Sequence, residues 1–113
     1  MVYFELDVTK RYLEINDNGE DELLTELGES ADQRMNNFLT SIVGSDDLPL
    51  DGSLIDESIR DAVNFVVCAR YLLIKKDHDS SKMWSEEAEK LRESIKNRLS
   101  KNADTYSRTV PRI

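Results

Sequence analysis

Apolar residues recur along this chain at spacings of three and four over three long stretches, the period of one face of an α-helix. The first stretch covers residues 19–42 and places Leu24, Leu27, Ala31, Met35, Phe38 and Ile42 in one stripe. Gly28 falls inside it. A helical glycine costs about 1 kcal/mol relative to alanine, and its missing side chain lets a neighbouring helix approach closely. The second stretch starts at Ser53, which with Asp56 reads as a helix-start signal, and runs to about Lys76. Ile55, Ile59, Ala62, Val63, Val66, Val67, Ala69, Leu72 and Leu73 give it the widest apolar face, so it is expected at the centre. The third stretch, residues 81–101, carries Trp84, Ala88, Leu91, Ile95 and Leu99. Its Glu86 precedes Lys90 by four residues, a pairing that supports a helix.

The intervening letters are shorter signals. Val2-Tyr3-Phe4 is a short β-prone run, and Asp7 and Thr9 offer N-caps for a short helix through Leu13. Tyr12, Leu13 and Ile15 are placed to cover one end of the first stripe. Asn16 to Gly19 is a turn cluster, in which Asp17 with Glu20 reads as a capping-box variant. Gly44, Asp46, Asp47, Pro49 and Gly52 mark a loop, with Leu48 and Leu50 as anchors, and Asp77 to Ser81 mark another connection. Past Asn102 the apolar periodicity is read as ending, and Thr105 to Ile113 as an extended tail, disordered or docked on a partner. The expected fold is all-α: a small antiparallel bundle of one short and three longer helices over residues 1–102, followed by an extended tail over residues 103–113.

Composition narrows the function. A chain of 113 residues fits one domain with a modest core. One cysteine excludes an intrachain disulfide, and one histidine excludes a histidine-rich metal site. The apolar runs fall far short of the roughly 20 residues a membrane span needs, and no basic-then-apolar start suggests a secretory signal. A reducing aqueous compartment is expected. The net charge of −8 is unevenly placed: residues 1–57 carry 15 acidic and 3 basic side chains, residues 58–113 carry 8 and 12. An acidic chain is a poor general ligand for nucleic acid, whereas an acidic front and a basic back suit packing of subunits side by side. Differently signed solvated helix faces would read the same way.

No phosphate-binding glycine motif is present. Cys68 lies in the most apolar helix and reads as a small core residue; His78 reads as a solvated side chain of a polar connection. The acidic run from Asp17 to Glu22 fails the spacing of a calcium loop, and nothing fixes the geometry of Asp46, Asp47 and Asp51. No catalytic, cofactor-binding or metal-binding residue is assigned, and no enzyme is expected. Lys90, Arg92, Lys96, Arg98 and Lys101 make the last helix basic, with Lys75, Lys76 and Lys82 near the turn before it. No base-reading motif or interleaved aromatic accompanies them. Trp84, Lys90, Arg92, Lys96 and Arg98 are therefore read as a candidate protein interface, with Trp84 either core or anchor.

The order of these signals resembles a known family. Asp7-Val8-Thr9-Lys10-Arg11-Tyr12-Leu13-Glu14-Ile15 leads into an acidic turn; Asp21-Glu22-Leu23-Leu24-Thr25-Glu26-Leu27 follows; then Ala31 to Leu39, the apolar run Ile55 to Lys76, and Trp84 to Leu99. Over roughly residues 5–102 this resembles the small head–tail connector (adaptor) proteins of tailed double-stranded DNA phages and related archaeal viruses. Residues 43–53 are short for that family's loop, and the β-prone residues 2–6 depart from its pattern. The resemblance implies a virion structural protein at the head–tail interface, assembled in the host cytoplasm. It implies a homo-oligomeric ring, usually dodecameric, beneath the portal protein, extending the DNA channel and presenting a platform to stopper or tail proteins. Viral DNA would pass without sequence-specific binding. No cofactor and no membrane partner is implied. By the same resemblance the tail docks on the portal, with Tyr106, Val110 and Ile113 as apolar contacts and Arg108 and Arg112 as charged ones. The alternative is a small acidic regulatory or antitoxin-like helical protein that binds one protein partner.

Overall fold

The computed structural model describes residues 3–44 and 57–109, with side chains as far as Leu99 apart from that of Val43. Four helices follow in order: α1 (Leu6–Tyr12), α2 (Asp21–Val43), α3 (Glu57–Ile74) and α4 (His78–Thr109). No strand occurs among the described residues. The fold is the expected all-α bundle of one short and three longer helices.

α3 is the hub, and its sequence explains why. Ile59, Ala62, Val63, Val67, Cys68 and Ala69 are all buried, so it presents apolar groups on more than one side. α2 packs on it with Leu24, Ala31, Met35 and Leu39, and α4 with Ala88 and Ile95. The apolar stripes of α2 and α4 are therefore spent chiefly on α3, and α2 and α4 touch each other much less.

Helix ends differ from the sequence expectation in instructive ways. Asp17 does not cap α2. Its Oδ1 accepts the Gly19 N–H at 2.9 Å, forming a local turn, and α2 starts at Asp21 with no side-chain cap bond from Glu20. Thr9 does not cap α1 either; α1 starts at Leu6, and Thr9 lies buried in its middle. α1 and α3 both end in the left-handed cap usually given to glycine. Glu14 has φ 59° and Lys76 has φ 65°. Each cap closes with a long backbone bond, Ile15 N–H to Lys10 O at 2.9 Å and Asp77 N–H to Leu72 O at 2.8 Å. Asp77 then caps the next helix, its Oδ1 accepting the Ser80 N–H at 3.2 Å, so α4 begins at His78 rather than 81. Ser81, one turn in, donates to the Ala69 carbonyl at 2.7 Å and pins α4 onto α3.

The other end of α4 corrects a larger expectation. Residues 103–109, read as extended, are helical, and α4 runs 32 residues to Thr109. At 1.5 Å per residue that is roughly 48 Å, most of the 57 Å length of the molecule. Ser, Asn, Asp and Thr crowd residues 100–109 and weaken local helix preference. Yet Leu99, Ala103 and Tyr106 keep the spacing of four and three, a signal that outvotes propensity. The expected anchors Leu48 and Leu50 and the start signal Ser53/Asp56 lie outside the described residues.

The N-terminal segment is the part of the fold that periodicity did not disclose. Tyr3 and Phe4 are buried core residues. The Asp32 carboxylate on α2 accepts the backbone N–H of Tyr3 at 3.0 Å and that of Phe4 at 2.7 Å, while Tyr3 Oη donates to Asn36 at 2.7 Å. Asn64 on α3 continues the clamp. Its Oδ1 accepts the Thr9 hydroxyl at 2.8 Å and the Glu5 N–H at 3.2 Å, and its amide donates to the Arg60 carbonyl at 2.8 Å. These bonds satisfy polar groups that would otherwise be costly to bury. Gly28 serves this segment and not a neighbouring helix, because the Phe4 ring lies against its backbone.

Candidate assembly surfaces

Because α2 and α4 both lean on α3, an open groove of about 540 Å³ remains between them. Its floor is apolar, from Met35 and Phe38 of α2 and Val63 and Val66 of α3. Its rim is polar, with Arg34 on the α2 side and Ser85, Glu89 and Arg92 on the α4 side. The Arg92 guanidinium lies 4.6 Å from the centre of the Phe38 ring, a cation–π contact that holds the side chain across the groove.

On the other side of the α3–α4 pair, Tyr12, Phe65 and Trp84 form an aromatic trio with ring centres 5.1–5.5 Å apart. Trp84 is half-buried there. Partial burial pushes the Tyr12 hydroxyl above its ordinary pKa, helped by Asp61, which accepts its hydrogen bond at 3.3 Å. Burial also pushes the Cys68 thiol up to about 12, so it stays protonated and unreactive. Lys75 is raised by its bond to Glu20 at 2.9 Å, a partly exposed pair joining the end of α3 to the acidic entrance of α2.

The basic residues of α4 do not gather on one face. At roughly 100° per residue, Arg92 and Lys96 share the flank beside the groove with Glu89 and Glu93 near them, Arg98 lies on the other flank, and Lys82 and Lys90 point away from the bundle. Lys90 is 3.3 Å from Glu87, an exposed pair worth little. Tyr106 and Arg108 sit in the last turns of α4; Val110, Arg112 and Ile113 lie outside the described residues. α2 carries the opposite charge: Glu22, Glu26 and Glu29 follow one another along its outer face, all exposed.

Sequence reasoning missed the groove and the clamp on the N-terminal segment. The groove depends on how far two helices splay, which no single stripe encodes. The clamp did leave a trace: Asp32 beside the α2 stripe and Asn64 within the α3 apolar run are polar residues among core positions. Among the described residues no group of His, Cys, Asp or Glu is arranged to hold a metal ion. No helix among them is long and apolar enough to cross a membrane.

A family model described as phage gp6-like head-tail connector protein matches residues 3–104. The match includes the buried N-terminal segment and most of α4. Comparison with curated proteins and with solved structures found no match.

Proposed function

The chain belongs to the phage gp6-like head-tail connector family, a structural component of the virion, and on that premise we propose that it works as a ring of identical subunits beneath the portal. The ring, twelve-fold by the family resemblance, extends the DNA channel and offers a platform to stopper or tail proteins. DNA slides past it without sequence-specific contact, as suits a chain with a net charge of −8. Assembly takes place in the host cytoplasm. The family match over residues 3–104 carries this reading. The shape supports it: a small bundle presents an acidic outer α2 face and a separate groove rimmed by Arg34 and Arg92, two different surfaces such as a head-to-tail ring requires.

In this reading the C-terminal end reaches the portal. α4 delivers Tyr106 and Arg108 on its last turns, followed by Val110, Arg112 and Ile113. Co-sedimentation with purified portal protein tests it. Deleting residues 103–113 is expected to abolish portal association while helical circular dichroism falls only by the seven helical residues removed. Full portal binding by the truncated chain overturns the docking role. A chain that stays monomeric alone and on portal overturns the ring.

A further inference from the structure

The groove between α2 and α4 and the outer face of α2 differ in charge and lie on different sides of the molecule. Arg34 and Arg92 line the groove, and Lys96, one turn on from Arg92, stands beside it. Glu89 is the one acidic side chain in the groove lining, where the cations exceed the carboxylates only narrowly, and Glu86 and Glu93 are exposed further round the same α4 flank. Glu22, Glu26 and Glu29 recur at four and three residues along α2, spanning roughly 10 Å. Arg92 and Lys96 are about 6 Å apart along α4, with Arg34 facing them across the groove. Three carboxylates on a rigid helix thus meet three cations on a comparable length scale. On α2 itself Arg34 is turned roughly 80° from Glu26 and about 120–140° from Glu22 and Glu29, so the two charge sets face different directions.

We propose that the groove receives the outer face of α2 from a second copy, placing Glu22, Glu26 and Glu29 of one subunit against Arg34, Arg92 and Lys96 of the next. This rests on the ring reading above and names its subunit contact. The contact is heterologous: each subunit gives one surface and accepts with the other, so it propagates until rotation closes it. The rim charges set orientation and encounter rate, and the methylenes of the glutamates cover the apolar floor around Phe38. The contact is a surface electrostatic one and weakens with salt.

Two charge-reversed variants test it, E22K/E26K/E29K and R34E/R92E. All five positions are exposed, and circular dichroism with a melting curve checks that each variant folds. Sedimentation velocity at low salt is expected to show multimers for the unmodified chain and at least a tenfold weaker association for each variant alone. Mixing the two variants restores assembly, because each then offers the surface the other needs and an alternating array forms. Variants that assemble alone as the unmodified chain does overturn the contact and leave the ring reading standing. Variants that fail alone and fail when mixed overturn the pairing of these two surfaces. An unmodified chain that is monomeric at every concentration and on portal overturns both the contact and the ring.

Discussion

Replacing Gly28 with alanine sets two opposing effects against each other. In an exposed helix the change stabilises by about 1 kcal/mol through helix propensity. Here a Cβ at Gly28 would meet three carbons of the Phe4 ring, all at 2.6 Å or less, and one of these is Cγ, close to the backbone. The ring therefore cannot yield by a rotamer change at its far end. It must leave its site, where Phe4 is 7% exposed. Loss of that burial costs about 1.5–3 kcal/mol, and loosening the Phe4 N–H bond to Asp32 costs about 1 kcal/mol more. The net expectation is destabilisation by roughly 2 kcal/mol, a sizeable part of what a domain this small possesses. Urea unfolding followed by circular dichroism measures it. The decisive control is the same substitution in a Phe4→Ala background, where the obstacle is gone and Gly28→Ala should stabilise by about 1 kcal/mol. That change of sign is a coupling energy. A stabilised Gly28→Ala in the unmodified chain would refute the account of the N-terminal segment.

Other consequences are equally direct. Asp32→Ala strips the acceptor from two backbone N–H groups and should cost about 3 kcal/mol, read as a lower urea midpoint; an unchanged midpoint means water replaces the carboxylate. Trp84→Ala should cost about 3 kcal/mol by emptying the aromatic trio, whereas a purely intermolecular anchor would leave monomer stability untouched. Lys76→Gly should stabilise by about 1 kcal/mol, because it relieves the left-handed cap at φ 65°. Cys68 should resist a thiol reagent at pH 8 until the protein unfolds. Its thiol pKa is raised from 9.0 to about 12 in the folded chain. The folded state therefore keeps a proton the unfolded state releases, and stability is expected to fall as pH rises from about 9 towards 12; a flat profile there would contradict its burial.

The letters of this chain determined three long helices, the central place of α3 and the absence of chemistry-bearing motifs, because a stripe repeating every three or four residues is local information. The same rule, applied past Asn102 to Leu99, Ala103 and Tyr106, carries α4 to Thr109 although the polar composition there argues for an extended tail. Family resemblance was also legible, since it resides in the order and spacing of those stripes. Tertiary structure alone decided what Gly28, Asp32 and Asn64 are for. Each serves residues 3–9, through contacts 24 to 59 positions apart in sequence, and bonds over such separations leave no periodic trace. It also decided that α2 and α4 splay over α3, opening a groove rimmed by Arg34 and Arg92. Splay follows from the sizes of side chains meeting in three dimensions, and no count of letters along one strand of chain contains it.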